Sequence, residues 1–196
     1  MSVLLYGITE ARAPEPDGVG LKDRPLRTVT HDNLRAVVSD LDNGPPTDED
    51  SLWAYEQVVE RLMAETTVLP ARFGTTAKAD EEIAAMLAER RAELAETLAR
   101  VREAVEFAVH APTSPQVRDD AARSGTAYMQ RLLTEDRHLR ELDARAGRLV
   151  RATRRITHGT AYLVGQSDAD EFLASARELG LTVTGPWPPY SFTTAS

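Results

Sequence analysis

The apolar positions of this chain change period several times, and each change marks an element. Residues 2–9, SVLLYGIT, are a nearly continuous apolar run rich in Val, Leu, Tyr and Ile, which predicts a buried strand. A Pro- and Gly-rich loop follows over 10–20. Two short strands are then expected at 25–30 and 34–40, with His31, Asp32 and Asn33 between them as a hairpin turn. At GPPTDEDS the period becomes helical. Thr47 is placed to cap free amides, and Asp48, Glu49 and Asp50 sit at the positive end of the dipole. Leu52, Tyr55, Val59 and Leu62 then recur at spacings of three and four, giving a helix with one apolar face.

The stretch TVLPARF, 67–73, reads as a strand that must lie at an edge or bend, because Pro70 has no amide to give to a ladder. A long helix is expected over 80–102, with Ile83, Leu87, Leu94, Leu98 and Val101 on one face, and a strand over 105–110. The order β-β-β-α-β-α-β predicts an α+β domain over 1–111, a ferredoxin-like split sandwich with two helices on one face of a sheet. APTSPQV opens a linker at 112–120. A second, smaller α+β domain is expected over 121–196: helices at 121–133 and 136–151, a strand at 156–164, a helix at 169–179 and a strand at 181–184. The fold class is therefore two small domains, each a sheet packed with helices.

Composition narrows the chemistry. Cysteine is absent, which removes disulfides, thiolate nucleophiles and Cys-ligated metals and fits a reducing cytoplasm. The opening apolar run is too short for a signal peptide or a membrane span, and no later segment is long enough either. The net charge is −8, yet residues 123–155 hold nine Arg against four Asp or Glu, which leaves −13 elsewhere. An acidic chain with one basic segment argues against a dedicated nucleic-acid binder. Arg137, Arg140, Arg148, Arg151 and Arg155 fall at helical spacing, and a solvated face is the plain reading of that pattern.

Motifs of catalysis and cofactor binding are missing. DGVGLKD carries a GxG, but Asp23 occupies the third glycine position and a strand follows, so dinucleotide binding is not expected. His31, His110, His138 and His158 show no ligand spacing. No catalytic residue, cofactor or metal site is assigned. LPARFGT, 69–75, admits two readings. Arg72 at a strand end, with Thr75 and Thr76 beside it, suits a small anion and so a ligand sensor or enzyme. The plainer reading, which the residues favour, is that Arg72 pairs with a carboxylate and Gly74 only serves the turn.

The segment GPWPPYSF, 185–192, cannot be helical. It is either a polyproline ligand for a partner or an anchor, and with Trp187, Tyr190 and Phe192 able to bury a large area, the anchor is expected.

Taken in order, LLYGI, RAVVSDL, VLPARFG, VEFAVH, GTAYMQRLL, AYLV and GPWPPYSF resemble the gas vesicle protein F/L family over nearly the whole chain. The resemblance implies a two-domain, non-enzymatic accessory protein of gas vesicle assembly. It would be cytoplasmic and vesicle-associated, and would bind the small hydrophobic shell protein and other accessory proteins. Tyr55 stands where the family often has a histidine. The region of Leu69, Arg72, Phe73 and Thr75 is the candidate shell-protein contact, by strand addition or groove docking.

Overall fold

The computed structural model describes residues 2–42, 44, 47–110, 125–157 and 159–193. The chain divides into two compact units, one made of residues 1–103 with 188–196 and the other of residues 104–187.

In the first unit, β1 (Ser2–Glu10), β2 (Arg27–His31), β3 (Leu34–Leu41), β4 (Leu69–Pro70) and β5 (Thr76–Ala77) form one antiparallel sheet. Its order is β2-β3-β1-β4, with β5 also on β1. Read from the other edge, this is the spatial order of a ferredoxin-like split sandwich. Here β1 is joined to β2 without a crossover helix, so β1 and β3 run antiparallel. His31 pairs with Leu34 across Asp32 and Asn33, and Asp32 takes φ 49° in this two-residue turn. Arg35, almost buried, ties down the preceding loop by donating to the carbonyls of Ala13 (2.8 Å) and Pro14 (3.2 Å) and pairing with Glu15 (2.8 Å).

Three helices accompany this sheet: α1 (Glu49–Glu65), α2 (Asp80–Glu89) and α3 (Arg91–Val101). The cap of α1 is Asp48 rather than Thr47, its carboxylate accepting the Ser51 amide at 2.8 Å. The buried face of α1 is Tyr55, Val58, Val59 and Leu62, whereas Leu52 is 39% exposed and Trp53 64%. The expected single helix over 80–102 is broken at Arg90, whose backbone leaves the helical region and whose guanidinium holds both oxygens of Glu93 at 2.7 and 2.9 Å. Leu4, Tyr6, Leu21, Val37, Leu41 and Val68 close the core against α1.

The second unit holds β6 (Ala104–His110), β7 (Val150–Ile156), β8 (Gly159–Gly165) and β9 (Thr182–Trp187) in the antiparallel order β7-β8-β6-β9, with α4 (Gly125–Ala146) and α5 (Ala169–Glu178). Two features differ from the sequence-based reading. The strand over 105–110, expected to finish the first sheet, pairs with β8 and β9 instead. The helix expected to run to 151 ends as α4 at Ala146, and residues 150–156 form an edge strand whose side chains alternate between half-buried and exposed. The arginines at 151 and 155 therefore lie on a strand, not on the helix of Arg137 and Arg140. β8 is buried along its whole length. Phe172 of α5 stacks on Phe107 (centroids 5.5 Å apart) and leans on Tyr162 (5.3 Å), whose hydroxyl donates to Asp143 at 3.1 Å. The linker expected at 112–120 lies outside the described residues.

Because Phe172 is fully buried between two aromatic strand residues, Phe172→Ala should cost about 3–5 kcal/mol in urea unfolding. A loss below about 1 kcal/mol would show that this stack does not carry the second core.

Candidate functional site

The segment 69–75 is built on β1. Leu69 is buried and pairs with Ile8, and Pro70 pairs with Gly7. A side chain at Gly7 would meet Val68 Cγ2 at 2.6 Å and the Leu69 carbonyl oxygen at 2.9 Å, so glycine is what lets β4 approach. The chain then turns. The amide of Ala71 donates to the Tyr6 carbonyl (2.9 Å), Gly74 takes φ 82°, and the amide and hydroxyl of Thr75 both donate to the Arg72 carbonyl at 3.0 and 2.6 Å. The Thr75 carbonyl accepts from Leu5 at 3.0 Å, returning the chain to β1 as β5.

The turn therefore sorts its four candidate residues. Leu69 is its foundation. Phe73 is half-buried, its ring edge on Tyr55 at 5.3 Å and 69°. Arg72 and Thr75 are exposed, and among the described residues no carboxylate pairs with Arg72. A groove of about 290 Å³ in this unit lies elsewhere, lined by Ser2, Arg27, Asp40, Lys78 and Asp80, among others. Its arginine is already held by Asp40 at 2.6 Å and Asp80 at 2.8 Å.

Beneath the turn sits a residue that the sequence placed only in an apolar stripe. The Tyr55 hydroxyl lies 2.8 Å from the Ala71 carbonyl, 3.1 Å from that of Leu5 and 3.2 Å from that of Tyr6. Its ring stacks on Tyr6 at 5.1 Å, and the Tyr6 hydroxyl meets Ser39 at 3.0 Å while accepting the Leu21 amide at 2.8 Å. Burial pushes the Tyr55 hydroxyl far above its ordinary pKa, so it remains a donor. The available signal was its type: a tyrosine on a buried helix face needs a partner for its hydroxyl.

The C-terminal segment reaches the same neighbourhood. Pro188, Pro189 and Phe192 are buried, and Tyr190 is half-buried against the α1 core, its hydroxyl donating to Glu56 at 3.4 Å. Arg100 donates to the Phe192 carbonyl at 3.2 Å. Trp187, by contrast, belongs to β9 opposite Glu106, is 40% exposed and donates to Thr184 at 3.3 Å.

Among the described residues no group of three or more His, Asp or Glu is placed to hold a metal, and no helix is long and apolar enough to cross a membrane. His158 lies outside the described residues; the other three histidines stand on different elements.

Comparison with known proteins decides the family. Residues 2–159 match the family model described as gas vesicle synthesis protein GvpL/GvpF. The chain belongs to the GvpL/GvpF family. It is 31% identical to gas vesicle protein F1 of Halobacterium salinarum, with 95% of this chain and 90% of the relative aligned. It is 27% identical to gas vesicle protein F of a Streptomyces species over 98% and 99% of the two chains. The GvpL/GvpF fold is matched too. The crystal structure of GvpF from Anabaena superposes with a TM-score of 0.81 at 16% identity, covering 100% of this chain and 97% of that one. GvpF from Microcystis aeruginosa gives 0.78 at 16% identity over 99% of both.

Two outcomes test the packing under the turn. Tyr55→Phe should lower stability by about 1–2 kcal/mol, because a buried carbonyl loses its donor; an unchanged denaturation midpoint would mean the hydroxyl is redundant. The second concerns Glu56. Burial, then repulsion from Glu60, raises its pKa, and the Tyr190 hydroxyl offsets part of this. A carboxyl raised in the folded state favours the protonated form, so stability falls as pH rises through the carboxylate range. Glu56→Gln should therefore melt above the parent at about pH 7 and level with it at about pH 3.5. The opposite order would make the Tyr190 hydrogen bond the stronger influence.

Proposed function

We propose that this protein is an accessory factor of gas vesicle assembly that binds the hydrophobic shell protein and assists its incorporation or nucleation. The observation that carries this reading is the family match over residues 2–159, which supports a role in gas vesicle formation. The working site is the turn between β4 and β5. A protein that handles an aggregating apolar partner needs a firm recognition point rather than a mobile one, because ordering a loop on binding costs free energy. The turn has this character: Leu69 and Phe73 root it in the core, its backbone is fixed at Arg72 and Thr75, and only their side chains are offered outward. Its strands are two residues long, so a groove contact suits this edge better than strand addition. The protein acts in the cytoplasm at the vesicle surface, together with other accessory proteins.

Arg72→Glu changes an exposed side chain and leaves the turn's hydrogen bonds intact. It should reduce co-purification with tagged shell protein by about tenfold, with the melting temperature unchanged. Retention equal to the parent at both low and high salt would remove the turn from consideration while leaving family membership untouched.

A further inference from the structure

The outer side of α1 carries groups that its own fold does not use. Glu49, Trp53, Gln57, Glu60 and Ala64 recur at spacings of three and four and are all exposed, so they form one outward ridge. Trp53 stands in this ridge 64% exposed, although tryptophan has more apolar surface to withdraw from water than any other side chain. Both flanks are occupied. On one, Arg61 donates to the Val19 carbonyl at 2.8 Å; on the other, Glu56 accepts the Tyr190 hydroxyl at 3.4 Å. The ridge between them is open over about 16 Å from Glu49 to Glu60.

The charge on the ridge is one-sided. Glu49 and Asp50 suit the positive end of the helix, but Glu60 and Glu65 stand toward its negative end, where the last turn holds no basic residue. Among the described residues, none of these four carboxylates meets a Lys or Arg at ion-pair distance, and Glu60 lies close enough to Glu56 to repel it. An exposed indole between unpaired carboxylates selects what covers it. Phosphate-bearing surfaces are repelled. A guanidinium is drawn in, because it lies flat on an indole face and pairs with carboxylates to either side. A helix laid lengthwise on α1 repeats its side chains at the pitch of the ridge. We infer that the outward ridge of α1 is a docking surface for a helical segment of a partner protein with arginines along one face, one over Trp53 and others at Glu49 and Glu60. The indole supplies the desolvated contact and the carboxylates the choice of partner. A cation beside Glu60 also answers the negative end of α1. This inference is independent of the shell-protein reading and uses no residue of the β4–β5 turn.

The chain is acidic overall, at −8, so the control must match the probe in charge. Two synthetic alanine-rich helical peptides of about eighteen residues serve, one with its arginines along a single face and one with the same arginines scattered round the helix. Binding to the full chain is read by anisotropy of the labelled peptides. The one-faced peptide should bind at least about tenfold tighter than the scattered one, and more weakly at about 0.3 M than at about 0.05 M salt. Trp187→Phe leaves Trp53 as the single tryptophan, and its emission should move to shorter wavelength as the one-faced peptide binds. Trp53→Ala removes an exposed side chain and should weaken binding about tenfold with the melting temperature unchanged. Equal binding of the two peptides overturns the inference, since overall charge then accounts for it. Trp53 emission that stays in place on binding overturns it as well, and so does the absence of one-faced peptide binding at the lower salt.

Discussion

The first unit depends on how one hydroxyl is surrounded. Tyr55 has a single proton to donate and three main-chain carbonyls within 3.2 Å, two from β1 and one from the segment after β4. The Tyr6 carbonyl already accepts the Ala71 amide at 2.9 Å, so the hydroxyl serves chiefly the Ala71 carbonyl, its shortest contact, and so ties the helix to the turn beside the central strand. The ring adds its own constraint, stacking on Tyr6 and meeting the edge of Phe73. A displacement of α1 would therefore unseat the β4–β5 turn and disturb β1 together. That coupling makes the turn rigid even though its strands contribute only two residues each.

The same cluster explains why the chain's end matters to its beginning. The first unit is discontinuous: residues 188–196 group with residues 1–103, while 104–187 form the second unit. Tyr190 reaches the α1 core, and Phe192 its buried place in the first unit, only after the whole second unit has been traversed. Closing a loop of that length costs little more entropy than closing one half as long, since the cost grows with the logarithm of length. Burial of Pro188, Pro189 and Phe192, with Tyr190 half-buried, works against that cost. The prolines contribute twice, by burying apolar surface and by restricting the unfolded chain.

What the sequence made legible was local. The strand at 2–9, the hairpin turn at Asp32 and Asn33, the α1 helix and the edge position of Pro70 all follow from periodicity or from backbone chemistry at a single residue. The failures were of two kinds. β6 was correctly expected as a strand but assigned to the wrong sheet, because pairing partners distant in sequence leave no periodic trace. The arginines at 148, 151 and 155 mimicked a helical face, although Gly147 interrupts the helix and VRATRRI alternates once its arginines are read as edge residues. For the candidate site, the turn at Gly74 was readable, whereas Arg72, expected to pair with a carboxylate, is exposed with none beside it among the described residues. The burial of Leu69 was implicit in its apolar strand. Tyr55 was hidden because an apolar stripe and a hydrogen-bonding keystone look alike at the level of spacing.

These features share one physical theme, the control of sheet edges. An open strand edge is a template for uncontrolled pairing, so a sheet protein gains from keeping its edges short or interrupted. Strands of two residues at β4 and β5, and Pro186 within β9, leave little continuous main chain for another strand to extend.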